Sequence, residues 1–510
     1  MIKCTAYLRG FFCLLLALGA SIFAGESTPI IAILHTNDVH GRFAESAKVI
    51  GHDRIATLFK ETRRRIPATV LLDAGDAIQG TGLVKWNKGR AAIAVMNAAG
   101  YDALVLGNHE FDYGWDNLTA LARQADFPFL TQPVVSEDTS GFIAAALFER
   151  GGRRIGVFGL TTPETKQSSD GGFGRYFGET EELLAYAGAM AASLRRAGAE
   201  VVVCLAHLGV DDQGFITSYE LRDRVGGIDV IVDGHSHTPL SEIAQVEGKA
   251  LIVSTGEHAE AVGMVEFHCQ AGRLVATARS IAKDETDDDI VPDAAVSAVI
   301  AKWVAESEAH GKTVLTRSPI FLAADRLVMR TRETELGNLM ADAIRQATDC
   351  DAALINGGNI RAPLPEGKVT VADIDAMLPY DTTILTAEVP GGAIREALEL
   401  SVSRYPGEFG GFLQVSGLTF AFDPAKPAGK RVIDIAVGGK PLDDDRLYRI
   451  AACDWLAAGG DGYEMLIEPF KKAAGNEILV LIDLFVRYLN ERKFELTPTL
   501  EERIVPIAAQ

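Results

Sequence analysis

Histidine is scarce and unevenly placed. Ten occur in 510 residues, and only His310 lies beyond residue 300, so an imidazole-based metal site must be built from the first part of the chain. Positive charge is also short. Forty-nine Lys and Arg stand against 69 Asp and Glu, a net charge of -20. That excludes a nucleic acid polymer as partner, because a phosphate backbone demands basic surface. It does not exclude a small phosphorylated ligand, since a few arginines and bound cations invert the local field. Six cysteines contain no CxxC pair. Cys204 sits inside an apolar strand as a core residue, and nothing in the spacing pairs the others. Internal repeats and low-complexity tracts are absent, and no second long apolar run follows the one near the N-terminus.

That first run is short for a membrane span. Lys3 and Arg9 precede the apolar stretch Phe11–Ala20, and small residues follow in "SIFAGES". The pattern reads as a signal peptide over 1–24, cleaved after Ala24. It predicts a periplasmic or secreted protein with no stable membrane anchor after cleavage.

A chain of 510 residues exceeds one core, so two domains are expected. The first half alternates apolar strands ("PIIAILHTND", "ATVLLDAGD", "DALVLGNHE", "RRIGVFGLT", "AEVVVCLAH", "IDVIVDGHSH") with segments of helical spacing. Continuous Val/Ile/Leu runs imply sheets covered on both faces, an α/β architecture. After the acidic run "KDETDDD", a helix-like stretch from Ala294 to Ala309 reads as a connector, and a second α/β unit starts near Thr316.

Five strands end in polar chemistry. They present Asp38 and His40; Asp76; Asn108, His109 and Asp112; His207; and His235 and His237. The C-terminal ends of strands are where open α/β sheets place their sites. Period-two spacing predicts that Asp38 and His40 share one side of their loop, as do His235 and His237. Leaving His109 and Asp112 aside, two carboxylates, one amide and four imidazoles suffice for two divalent ions. Mixed N/O ligation suits Zn, Mn, Fe or Co better than Mg or Ca. Two such ions are a standard clamp for displacement at phosphorus.

The order DxH…GD…GNHE…H…GHxH resembles the calcineurin-like metallophosphoesterases, and "TNDVHGR", "GNHEFD" and "DGHSH" resemble the 5'-nucleotidase family over essentially the whole mature chain. The resemblance implies a four-layered α/β/β/α domain (25–290), a connector helix (291–315) and a mixed α/β C-terminal substrate-binding domain (316–510). It implies that Asp76 bridges two metals, that Asp38, His40 and His237 complete one, and that Asn108, His207 and His235 complete the other. Zn, Mn or Co is the expected ion. His109 falls on the family's catalytic histidine and Asp112 on its carboxylate partner. His35, within its strand, is expected to be core, and His52, His258 and His268 match no ligand position.

In the second half, "RETELGN" implies a phosphate-binding Arg332, and "NGGNIR" implies Asn356 and Arg361. Asn359 stands there where a glycine is common. "GGFLQVSG" and "CDWLAAGGDGY" supply Phe412 and Trp455, which the resemblance makes a sandwich for the base, and Asp461, which it sets on the ribose hydroxyls. The implied function is hydrolysis of nucleoside 5'-monophosphates by metal-activated hydroxide, with UDP-sugars or other nucleotides as further candidates. A 2',3'-cyclic-nucleotide 2'-phosphodiesterase/3'-nucleotidase shares the metal core and is the alternative. A non-catalytic nucleotide-binding module would carry a damaged ligand set, which this chain does not.

Overall fold

Strand Pro29–Thr36 sends Ile31 and Ile33 to one face and Leu34 to the other, and both faces are buried. The same division recurs in Thr69–Asp73, with Val70 and Leu72 against Leu71. In Val201–His207 it separates Val201, Val203 and Leu205 from Val202, Cys204 and Ala206. Because successive strand side chains face opposite ways, these runs build three apolar layers. The middle layer lies between two sheets, and the outer two lie under helices.

The computed structural model describes residues 28–132, 141–165, 179–211, 215–286, 290–380, 382–473, 479–492 and 499–507. The expected signal peptide at 1–24 and the acidic residues 287–289 lie outside them. The first sheet has seven strands, in the order Arg273–Ala282, Ala261–Gln270, Pro29–Thr36, Thr69–Asp73, Ala103–Val105, Phe129–Leu130 and Phe142–Ile143. The second has five, in the order Leu251–Val253, Val230–Val232, Val201–His207, Arg153–Thr161 and Ala145–Arg150. Helices His52–Arg65, Arg90–Ala99 and Trp115–Gln124 cover the first sheet, and Thr180–Arg196 and Ser218–Arg224 the second. This is the four-layered α/β/β/α domain that the motifs implied.

Helix Ala294–Gly311 starts at Asp293, whose carboxylate accepts from the amides of Ala295 and Val296 and satisfies two end donors. It packs on the first domain through Val296 and Ile300. Near its end His310 stacks on Trp86 with ring centroids 4.9 Å apart. Beyond it, a five-stranded mixed sheet carries Ala352–Asn356 and Leu447–Cys453 as parallel neighbours, with Leu413–Ser416 at one edge. Helices Glu335–Thr348, Gly391–Ser401, Glu464–Lys472 and Leu481–Glu491 pack in the same core. The four described cysteines carry free thiols. No described helix is long and apolar enough to cross a membrane.

Two core histidines give this domain an acid sensitivity. His35 is fully buried, with its ring pressed onto Gly263, where any Cβ would overlap it. His52 is fully buried between Phe43 and Tyr101. Burial lowers both to about 3, because an imidazolium loses its hydration there. The unfolded chain protonates each near 6.5, so their contribution is complete above that pH and is lost as pH falls from 6.5 toward 3. Each histidine should steepen the loss by about 1.4 kcal/mol per pH unit. His52→Phe, which keeps an aromatic ring between Phe43 and Tyr101, should unfold with a shallower pH dependence between 6 and 4 in denaturant titrations. An unchanged slope would show that His52 does not contribute.

Candidate metal centre

The strand ends of both sheets meet at one edge of the sandwich. The first sheet delivers Asp38, His40, Asp76 and Asn108, and the second delivers His207, His235 and His237. Asp38, His40 and His237 place one potential ligand atom each within 4.8 Å of one another, and so do Asp38, Asp76 and His207. The side chains converge for a reason other than strand periodicity. Asp38 (φ 48), His40 (φ 46), Asp76 (φ 58), His235 (φ 78) and His237 (φ 53) all lie in the left-handed region. The chain is not extended there. Each residue sits on a tight reversal that turns its side chain inward, a conformation that costs a non-glycine residue free energy.

Hydrogen bonds hold these reversals. The amide of Asp38 donates to Gly75 O (3.0 Å) and that of His40 to Asp76 O (2.9 Å). The fully buried carboxylate of Glu110 accepts from the amides of Asp76 (2.8 Å), Ala77 (2.8 Å), Ile78 (3.3 Å) and Gly107 (2.6 Å), tying two ligand loops together. Asn37 donates to Asp38 Oδ2 (2.7 Å) and Gly256 O (2.7 Å) and accepts from Thr255 N (2.8 Å). Glycines precede Asn108 and His235 because the ligands pack on their Cα atoms. A Cβ on Gly107 would lie 2.2 Å from Asp76 Oδ1, and one on Gly234 would lie 2.9 Å from Asp38 Oδ2.

Proton positions follow from the partners. His207 Nδ1 lies 2.7 Å from the Ala74 carbonyl, which can only accept, so Nδ1 carries a proton. In the neutral ring, Nε2 is then a lone pair, 3.2 Å from Asp76 Oδ2 and 3.2 Å from Asn108 Oδ1. His235 Nε2 donates to Glu164 (2.6 Å), which turns Nδ1 as a lone pair toward Asn108 Oδ1 at 3.1 Å. His237 Nδ1 faces Glu257 (2.7 Å), and its Nε2 lies 3.3 Å from His40 Nε2 and 3.5 Å from Asp38 Oδ1. With the rings neutral, His207 Nε2 and His235 Nδ1 face oxygen acceptors with lone pairs. Such a donor set fits divalent cations, and carboxylates behind the histidines are the usual outer support of imidazole ligands.

The electrostatics agree. Burial raises Asp38 to about 6; His207 works against the rise and Asp76 adds to it. Burial also opposes the Asp76 charge, but His207, His109 and His40 hold Asp76 well below the usual carboxylate range. Burial works against the charged forms of His207 and His109, yet Asp76 outweighs it and both are raised to about 10. The field that protonates these imidazoles is the field that would attract a cation.

His109 stands beside the cluster. Its amide donates to Asp76 Oδ1 (2.9 Å), and its Nδ1 is 2.8 Å from Asp112 Oδ2. His258, which matched no expected role, lies alongside with its ring 5.8 Å from that of His40. The sequence reading missed Glu110, Glu164, Glu257 and Asn37. Glu110 and Asn37 lie inside the motifs, but nothing in spacing separates a carboxylate that holds backbone from one that binds metal. Glu164 and Glu257 lie in loops without a period.

In the C-terminal domain, Asn356 Nδ2 reaches Asp461 Oδ2 (3.2 Å), and Trp455 packs over Gly460. Arg361 donates to Tyr380 Oη (2.7 Å) and lies over its ring. Phe412 is 1% exposed in the domain core, because its loop tucks under strand Ala352–Asn356, with the Phe412 carbonyl accepting from Gly357. It offers no open face to a base, whereas Trp455 is 55% exposed. Arg332 points to solvent. Its neighbour Arg330 is the buried arginine, paired with Glu408.

Residues 31–239 match the calcineurin-like phosphoesterase family and residues 313–468 the C-terminal domain of 5'-nucleotidases. The chain is 30% identical to a snake venom 5'-nucleotidase of Naja atra, over 93% of this chain and 98% of the relative. It is 29% identical to a human 5'-nucleotidase, over 96% and 93%. Among solved structures, a 5'-nucleotidase precursor from Thermus thermophilus is 31% identical, covers 94% of this chain and 100% of its own, and superposes with a TM-score of 0.60.

Glu110→Gln tests the clamp. It sets an amide donor against amide donors, so thermal or denaturant unfolding should show a loss of about 1–3 kcal/mol. Bound metal, measured by emission spectrometry, should fall with it. Wild-type stability and metal content would show that the clamp is dispensable.

Proposed function

The chain belongs to the 5'-nucleotidase family of calcineurin-like phosphoesterases and is a phosphoric ester hydrolase, and from that membership we propose that it cleaves nucleoside 5'-monophosphates to nucleoside and phosphate. The observation that carries the reading is the double cluster of facing lone pairs beside the His109–Asp112 pair. In this proposal Asp38, His40 and His237 hold one divalent cation, Asn108, His207 and His235 hold a second, and Asp76 is shared. Zn, Mn or Co suits the mixed N/O set. When bound, the pair would polarise the phosphoryl group and lower the pKa of a water.

The chain's own residues do the rest. Glu164 and Glu257 fix the rings of His235 and His237. Asp112 keeps the proton on His109 Nδ1 and favours the charged ring, so Nε2–H can donate to a phosphoryl oxygen or to the leaving oxygen. Asn356, Trp455 and Asp461 form the nucleoside reader, with Trp455 as the open stacking face. Arg332, exposed to solvent, and Arg361 would hold the phosphate, and Phe412 would back the base from the domain core. UDP-sugars and other nucleotides would draw on the same residues.

The division into 25–290, 291–315 and 316–510 is part of the proposal, supported by helix Ala294–Gly311 between the two matched segments. So is export to the periplasm or the extracellular space, supported by the basic and apolar N-terminal segment and by the venom relative.

Asp76→Asn should lose most bound metal together with activity. His109→Ala should keep its metal near the wild-type content while the rate falls by roughly 10²–10⁴-fold. Loss of a metal equivalent in His109→Ala would make it a ligand and overturn its assigned role. A metal-reconstituted panel of AMP, 3'-AMP, 2',3'-cyclic AMP, UDP-glucose and NAD decides the substrate, and preference for the cyclic ester would favour the alternative enzyme. Trp455→Ala should weaken AMP binding by about 1–3 kcal/mol and spare p-nitrophenyl phosphate. Equal losses on both would make Trp455 a packing residue.

A further inference from the structure

Asn359 occupies a position where the backbone does not ask for glycine, since its φ is not in the left-handed region. Its side chain is buried and fully engaged. Thr382 Oγ1 lies 3.0 Å from Asn359 Oδ1, Asn359 Nδ2 lies 3.1 Å from Asn356 Oδ1, and Asn356 Nδ2 lies 3.2 Å from Asp461 Oδ2.

The direction of this relay is forced from one end. An ionised carboxylate only accepts, so Asn356 must turn its NH2 toward Asp461. Its carbonyl then faces Asn359, which must answer with its own NH2. The Asn359 carbonyl in turn faces a hydroxyl, which can donate. Each group has a single workable orientation, and the first three members are buried. The relay ends at Asp461, whose φ is 57, in the turn Gly460–Gly462 that follows the short helix Asp454–Ala457 bearing Trp455. A Cβ on Gly411 would lie 2.9 Å from Asp461 Cβ, so the carboxylate stem is confined on that side as well.

We propose that Asn359 is a positioning residue for the nucleoside: through Asn356 it fixes the Asp461 carboxylate in the orientation that accepts a vicinal diol, and so sets the preference for ribose over sugars lacking those hydroxyls. The inference rests on the reading of Asp461 as the ribose contact. With glycine at 359, the Asn356 carbonyl would keep only the weak Cys453 thiol donor at 3.5 Å, and the amide that faces Asp461 would be held less firmly. Asn359 would touch no substrate atom itself.

The test is calorimetric binding of adenosine and 2',3'-dideoxyadenosine to the metal-loaded full chain, a readout independent of turnover. The wild type should prefer adenosine. Asn359→Ala should lower adenosine affinity by roughly five- to tenfold, the size of one neutral hydrogen bond, and leave dideoxyadenosine unchanged. Asn359→Asp should lose more, because its carboxylate would turn the Asn356 amide and point the Asn356 carbonyl at Asp461. Thr382→Val keeps the buried shape and removes only the far donor; it should shift adenosine in the same direction by about two- to fivefold, even if a 359 variant folds poorly. Equal losses on both nucleosides would reduce Asn359 to a structural residue and overturn the proposal. Unchanged adenosine affinity in Asn359→Ala and Thr382→Val would do the same. A wild type that does not distinguish the nucleosides would refute the Asp461 reading itself, and the inference with it.

Discussion

The candidate centre of the first domain is arranged around one unfavourable meeting: oxygen and nitrogen atoms that, once the imidazoles are neutral, point lone pairs at each other. His207 Nε2 stands 3.2 Å from both Asp76 Oδ2 and Asn108 Oδ1, while its Nδ1–H donates to the Ala74 carbonyl. Left alone, such a cluster would protonate or spread. A cation in its midst reverses the sign of the interaction, and the rest of the site is built to hold the cluster together for that purpose.

The holding is done by backbone. Five of the seven proposed ligands lie at positive φ, where a side chain crowds its own carbonyl. Residues under that strain stay put only when the surroundings over-determine them. Here Glu110 gathers four amides from two loops, and Asn37 stitches the first loop to the segment at 254–256. The glycines of the GD, GN and GH pairs serve the same end. Without a Cβ, the loops approach one another closely enough for side chains from different strands to touch.

Much of this was legible in the sequence, and the reasons differ by level. The layers were readable because Val/Ile/Leu runs buried on both faces leave a continuous apolar signal, as in "VVVCLA". The side chains that the structure brings together at the candidate centre were readable because they follow strand ends in fixed order. What failed was inference about exposure and about support. Phe412 and Trp455 both look like aromatic neighbours of glycine-rich loops, yet one is buried and the other open. That depends on which loop tucks under the sheet, a tertiary fact with no local period. Arg330 and Arg332 are two residues apart, and the pairing with Glu408, 78 residues away, decides which is buried. Glu164 and Glu257 stayed hidden because a carboxylate in a loop is the most ordinary residue a surface carries.

The proposed ligands do not come from one sheet. Asp38, His40, Asp76 and Asn108 hang from the seven-stranded sheet, and His207, His235 and His237 from the five-stranded one. Between the two sheets lies an apolar layer that alone decides their spacing elsewhere in the domain. A cation held by these residues from both sides would be a rivet at the mouth of the sandwich. It would bind best with the sheets in register, so its binding free energy would add to the stability of the assembled pair, by about 2.7 kcal/mol at a hundredfold excess over Kd. Bound ions and the inter-sheet packing would then become one thermodynamic unit. A mutation deep between the sheets would be felt as weaker metal affinity, and a chelator at the surface would be felt as a softer core.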